Sequence, residues 1–229
     1  MSISAITCKN DLLRHFICTE SPLFFDIGAN KGQSSKNFRS LFSNSKLYLF
    51  EPDPLLSEKL QKEFSDCNSK VQNFAISNNQ NERNFKCYSN SEANSFYDLD
   101  KKGYYFSRDY VKQREFTVQC KTIDNIVSEE SIENIDFLKI DTQGHSFEVL
   151  EGAKETLFHK KVQYLQVEVN ISGFYEKNES LSKILTFLEN LDYELYTFIH
   201  GDSEQIGHLF FDYKNGSICS LDLFIKRKD

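Results

Sequence analysis

The chain alternates between short apolar runs and amphipathic stretches, a rhythm that predicts βα units laid around a mostly parallel sheet. The runs fall at residues 23–27, 46–50, 71–76, 135–140 and 162–169. Each has the length of a strand rather than of a helix. Residues 33–42, between the first two runs, fit a helix. Glu51-Pro-Asp-Pro54 marks a boundary, because Asp53 can cap and Pro54 can occupy a first helical turn where no N–H is missed. A helix to about Phe64 follows. Phe147, Leu150, Ala153, Thr156 and Leu157 share one helical face, and Leu181, Ile184, Leu185, Leu188 and Leu191 mark another by their i, i+3, i+4, i+7 spacing. Strands at about 194–198 and 217–226 close the pattern, and residues 1–21 read as an N-terminal helical extension.

Residues 77–120 break the rhythm. They combine an Asn/Ser-rich turn, aromatic pieces around Phe96-Tyr97 and Tyr104-Tyr-Phe106, and alternation over 114–120. Long irregular stretches are usually functional or disordered, and the aromatic content argues for a folded lid over one rim of the sheet. Composition agrees with one domain over residues 1–229. The chain is 39% hydrophobic and 27% charged, and its 21 Phe and 11 Tyr supply core material that a disordered chain lacks. Its formal charge of −7 repels phosphate backbones, which argues against nucleic acid as the partner. The six cysteines include no C-x-x-C pair, so they read as small buried hydrophobes in a reducing compartment. With no leader-like N-terminus and no run of 18 uncharged apolar residues, a cytoplasmic protein without a membrane span is expected.

Chemistry concentrates at three strand ends. Phe24-Phe-Asp-Ile-Gly-Ala-Asn-Lys-Gly32 delivers Asp26 to the sheet's carboxyl edge, where Gly28 and Gly32 permit a tight turn and Asn30 tolerates left-handed dihedrals. The spacing is not G-x-G-x-x-G, so a dinucleotide and an NAD-dependent oxidoreductase are poor matches. Glu51, ending the next strand, can take both hydroxyls of a ribose. Leu138-Lys-Ile-Asp141 again ends a buried run in an acid, and Gly144 turns the chain into a helix.

Together with Asn73-Phe-Ala75, Thr122-Ile-Asp124 and Val149-Leu-Glu-Gly-Ala153, these segments resemble the FkbM-type family of S-adenosylmethionine-dependent methyltransferases over about residues 23–198. The resemblance implies a Rossmann-like class I methyltransferase fold: α/β, with a seven-stranded, mostly parallel sheet and an antiparallel last strand. It implies S-adenosylmethionine as cofactor, with Asp26, Gly28, Asn30 and Gly32 around the methionine moiety, Glu51 and Pro52 on the ribose, and Asn73, Ala75 and Asp141 nearby. It also implies hydroxyls of sugars and natural products as acceptors. The family often has Glu where Gln143 and Ser146 stand here, so tasks resting on those charges do not carry over.

For the hydroxyl proton, His145 is the first candidate, since a helix N-terminus disfavours imidazolium, with Asp141 beside it. His200 and His208, in the loop before the last strand, are further candidates. Gln143, Glu168, Asn170, Tyr97 and Tyr105 are expected to face the acceptor; strand alternation points Glu168 and Asn170 the same way. Asp141, Glu168, Asn170 and His145 could also hold Mg²⁺, although ordinary turn bonds explain Asn170 as well and no metal is required. The expected partners are a small-molecule or carbohydrate acceptor and at most a second copy of the chain. A methyltransferase for nitrogen or carboxylate acceptors and a non-catalytic cofactor-binding protein are the alternatives.

Overall fold

A computed structural model describes residues 6, 8–102, 109–199, 210–212 and 217–228. Five parallel strands form the centre of the main sheet: β1 (Leu23–Ile27), β2 (Lys46–Phe50), β3 (Ser69–Gln72), β7 (Ile135–Ile140) and β8 (Val162–Asn170), in the order β3-β2-β1-β7-β8. Strand β11 (Ser217–Arg227) runs antiparallel beside β8, and β9 (Tyr193–Ile199) pairs with the outer edge of β11. These seven strands are the expected class I arrangement with its reversed last strand. An eighth, the short β10 (Phe210–Asp212), adds to the beginning of β11.

Helices cover both faces, which is why the central runs are apolar almost without interruption. On one side α1 (Lys9–Phe16), α2 (Gln33–Leu41) and α3 (Pro54–Glu63) enclose Phe24, Phe38, Leu49, Leu60, Phe137 and Phe224. On the other, α4 (Ile123–Glu129), α5 (Ser146–Glu151), α6 (Lys154–Phe158) and α7 (Leu181–Glu189) pack Ile126, Val149, Leu157 and Ile184 onto Leu138 and Val167. Asp53 caps α3 as its sequence context suggests, accepting from the Leu55 N–H at 3.0 Å, with Pro54 in the first turn. The single helix expected over 147–157 is broken into α5 and α6. Gly152 passes so close to the Ser77 carbonyl that a Cβ there would stand 2.0 Å from its oxygen, and this contact interrupts the helix.

The apolar run at 71–76 is likewise two strands. After β3, Asn73 and Phe74 carry the chain out of the main sheet, and β4 (Ala75–Ile76) pairs with β6 (Lys112–Lys121). β6 in turn forms an antiparallel ladder with β5 (Glu82–Tyr88), so the rim insertion is a second, three-stranded sheet with its own small core around Phe85, Phe96 and Val118. It is anchored to the main domain by Ser95 Oγ donating to the Gln143 carbonyl at 2.7 Å and by Arg114 Nη2 donating to Asp53 at 2.6 Å. All six cysteines are free thiols; Cys87, Cys120 and Cys219 are buried as expected, whereas Cys18 and Cys67 are exposed and Cys8 is partly so. Among the described residues no helix is long and apolar enough to cross a membrane.

Candidate active site

The strand order reverses between β1 and β7: the chain leaves β1 toward β2 and leaves β7 toward β8. The gap beyond their carboxyl ends is where open α/β sheets take ligands. Gly28 (φ +79°) opens the turn after β1, and a Cβ there would lie 1.9 Å from the Asp141 carbonyl oxygen. The approach of the β7 end therefore dictates glycine. Asn30 follows with φ +51°, the left-handed conformation its side chain tolerates. The turn is pinned by Gly28 and Ala29 N–H groups donating to the Phe50 carbonyl at 3.0 and 3.1 Å.

A cavity of about 470 Å³ opens at this switch point, within the range of small-molecule sites. Gly28, Asn30, Glu51, Pro52, Ala75, Asp141, Gln143 and Glu168 line it. Glu51 folds back over the glycine turn, its two oxygens each 2.8 Å from a backbone nitrogen, those of Asn30 and Asp53. Burial pushes its carboxyl up to about 8 despite those two donors. In the neutral form this favours, one oxygen can still accept from a ligand hydroxyl while the other donates to one. The rim insertion contributes Glu92, Asn94, Phe96 and Tyr110 to the opposite wall.

A row of charged and polar side chains crosses the sheet wall of the cavity, with Asp26 behind it. Asp26, Lys139 and Gln166 are neighbours across β1, β7 and β8, and Asp141 and Glu168 follow two residues further along β7 and β8. Lys139 Nζ stands 3.2 Å from Asp26 and 3.3 Å from Asp141. Burial alone would depress the ammonium; the two carboxylates hold it charged and well above its usual range. Against the effect of burial, Lys139 in turn holds Asp141 below the carboxylate range. Glu168 is pushed well up, by burial and by the Asp141 charge. Gln143 Nε2 bridges the two, donating to Asp141 at 2.9 Å and to Glu168 at 2.7 Å. A glutamate at 143 would add a third carboxyl there; the amide supplies a donor instead.

Other expected site residues support the cavity from behind its wall. Asp26 accepts from Ser35 Oγ at 2.6 Å as well as from Lys139, and Gly32 begins α2 against the Phe64 ring. Asn73 Nδ2 donates to the Glu51 and Pro52 carbonyls at 2.9 and 3.1 Å, fixing the end of β2. Asn170 does share a face with Glu168, donating to it at 3.0 Å.

His145 is placed differently from the sequence expectation. It is fully buried between the rim insertion and α5, with Ser77 Oγ 3.0 Å from Nε2 and Tyr97 Oη 3.1 Å from Nδ1. Arg83 Nη1 reaches its ring at 3.2 Å, and Tyr97 accepts from Lys177 at 2.7 Å. Burial drives His145 down to about 3, so it is neutral across the physiological range. Nor does it cap α5: Glu179, absent from the sequence reading, accepts from Ser146 N–H at 2.7 Å and takes that role. His145 and Tyr97 thus join the insertion to the core rather than facing a ligand. The four side chains considered for Mg²⁺ are not brought to one point: His145 does not line the cavity and Lys139 pairs with Asp141. Among the described residues no three His, Cys, Asp or Glu side chains converge as a metal site. Tyr105, His200 and His208 lie outside the described residues.

The sequence reading missed Lys9, Lys139, Gln166 and Asp222, all of which line the cavity. Lys139 had a signal, a lone charge in the apolar run Phe137-Leu-Lys-Ile140. Lys9 and Asp222 had none, since only the fold brings chain positions 213 residues apart to one wall.

The sequence pattern of the Methyltransferase FkbM domain matches residues 26–195. The 2-O-methyltransferase NoeI of Sinorhizobium fredii is 26% identical over 178 residues, covering 75% of this chain and 72% of that protein. The crystal structure of Methyltransferase FkbM from Methylobacillus flagellatus superimposes with a TM-score of 0.56 at 16% identity, over 89% of this chain and 44% of the other. This chain therefore spans less than half of that solved protein, and their likeness is one of fold. With the domain pattern covering most of the chain, a sheet of class I order and the site at its switch point, the chain belongs to the FkbM methyltransferase family.

Proposed function

We propose that the chain transfers a methyl group from S-adenosylmethionine to a hydroxyl oxygen of a small carbohydrate acceptor. The observation that carries this reading is the placement of Glu51 over the glycine turn, at the nucleoside end of a cavity that continues under the rim insertion. The residues present suit the cofactor. Asn30 Oδ1 and Gln166 Oε1 are buried acceptors that lack a partner, and a ligand carrying amine and hydroxyl donors satisfies them.

When bound, the cofactor supplies an electrophilic methyl group on a sulfonium. Glu51 takes the ribose hydroxyls, while Pro52, Ala75 and Ile76 form the apolar wall of the nucleoside end. Glu92, Asn94, Gln143, Tyr110 and Phe174 line the other end with hydrogen-bonding groups and aromatic faces, the combination that sugar rings use. Holding the acceptor oxygen in line supplies much of the rate. The hydroxyl grows acidic as its oxygen bonds carbon, so even a weakly basic carboxylate suffices to take the proton. Asp141, whose ionised form Lys139 favours, replaces His145 as that acceptor. The choice of oxygen rests on NoeI, whose name is that of a 2-O-methyltransferase.

Calorimetric titration with S-adenosylhomocysteine tests the cofactor: micromolar binding, about −8 kcal/mol, is expected, and Glu51→Gln weakens it about tenfold or more. No measurable binding overturns the reading. Methyl transfer to a panel of sugars tests the acceptor class. Turnover of amines or carboxylic acids alone would overturn the hydroxyl assignment, and binding without any turnover would leave a cofactor-binding protein.

A further inference from the structure

Helix α1 precedes the family-matched residues 26–195, yet its first residue reaches the site. Lys9 is 7% exposed and lines the cavity. It makes no hydrogen bond and no ion pair within 4 Å among the described residues; its Nζ stands 5.9 Å from the Phe38 ring centroid. Burial pulls its pKa down, with Asp222 the main influence in the other direction. An ammonium that faces the cavity without a protein partner is placed to pair with an anion entering the site. A second orphan on the same wall has the opposite polarity. Gln166 is 2% exposed, spends its Nε2 on Asp222 at 2.8 Å, and leaves Oε1 without a donor. A donor lacking an acceptor and an acceptor lacking a donor, both lining one cavity, match a zwitterion: a carboxylate next to an ammonium.

We propose that Lys9 binds the α-carboxylate of the cofactor's amino-acid end while Gln166 Oε1 faces the adjoining ammonium, which makes α1 part of the cofactor site. This rests on the reading of the cavity as an S-adenosylmethionine site. The amino-acid end is favoured over an acidic acceptor because Lys9 stands over Phe38 of α2, whose first residues Gln33 and Ser34 line the cavity with the glycine turn. The acceptor end is built by the rim insertion instead.

The test compares two ligands on the full chain and on Lys9→Met. S-adenosylhomocysteine carries the amino-acid end; 5′-methylthioadenosine keeps the nucleoside and thioether and lacks both carboxylate and ammonium. In the variant, affinity for the first falls about ten- to a hundredfold, the loss of a hydrogen bond to a charged group, while affinity for the second stays within about twofold. The unliganded melting temperature holds or rises, because a desolvated charge has been removed. Equal losses for both ligands, unchanged binding of S-adenosylhomocysteine, or a lowered melting temperature or failure to fold would show Lys9 to be structural and overturn the proposal. A wild-type chain that binds methylthioadenosine and S-adenosylhomocysteine equally well overturns it too. One that binds neither removes the cofactor reading itself.

Discussion

Two buried side chains carry opposite pH signatures, and each separates a structural from a chemical role. Glu51 has its folded pKa raised by burial to about 8 from an ordinary 4.5, so its neutral form is the one the fold prefers. Its contribution to stability is complete below about 4.5 and is lost as pH rises through 8. Glu179, raised to about 7 by burial, adds to the same slope. Urea midpoints for wild type are expected to fall between pH 6 and pH 9, and Glu51→Gln is expected to flatten part of that fall. An identical slope in the variant would place the titration elsewhere. His145 is the reverse case. Its pKa is depressed to about 3, so the stability it confers is present above the usual 6.5 and is lost as pH falls toward 3. His145→Asn leaves Arg83, Ser77 and Tyr97 without their shared partner and is expected to cost about 2–3 kcal/mol at pH 7.5. The pH dependence of turnover above 6 should remain as in wild type. Disappearance of a limb near neutrality would restore His145 as the base.

The rim insertion is an element with its own small core, joined to the main domain by discrete contacts such as Arg83 on His145. Arg83 lies 4.3 Å from the Phe96 ring centroid and reaches His145, which ties β5 to α5. Arg83→Leu removes the cation–π contact and the hydrogen bond together, about 1–2 kcal/mol. Amide exchange in β5 and β6 should quicken about tenfold while β1 and β7 keep their protection. Uniform quickening across both sheets would mean that the insertion and the domain open as one unit. This element was only half legible in the sequence. The alternation over 114–120 betrays β6, but the polar β5, Glu-Arg-Asn-Phe-Lys-Cys-Tyr, is paired only because β6 lies beside it. Strand pairing overrides a weak local signal.

At the scale of the molecule, a ligand that binds only the folded chain stabilises all of it. S-adenosylhomocysteine at a hundredfold excess over its Kd contributes about 2.7 kcal/mol, a rise in melting temperature of roughly 5–10 °C for a domain of this size. A flat response at saturating ligand would contradict the cofactor assignment independently of any turnover. The shift also bears on α1. If the helix belongs to the site, its amides gain protection on binding together with those of the glycine turn.

What the sequence determined by itself was whatever depends on neighbours along the chain. The strands and helices of the main sheet follow from apolar periodicity, the α3 start from Asp53-Pro54, and the turn after β1 from Gly28, Asn30 and Gly32. The order of those segments carried the family resemblance. The tertiary structure alone decided which polar groups share a wall. It moved Asp26, Asn73 and His145 behind the cavity and brought Lys9, Lys139, Gln166 and Asp222 to it. The reason is physical: a buried charge is tolerable only beside partners supplied by other strands, and strand order is set by packing the whole sheet rather than by any one segment.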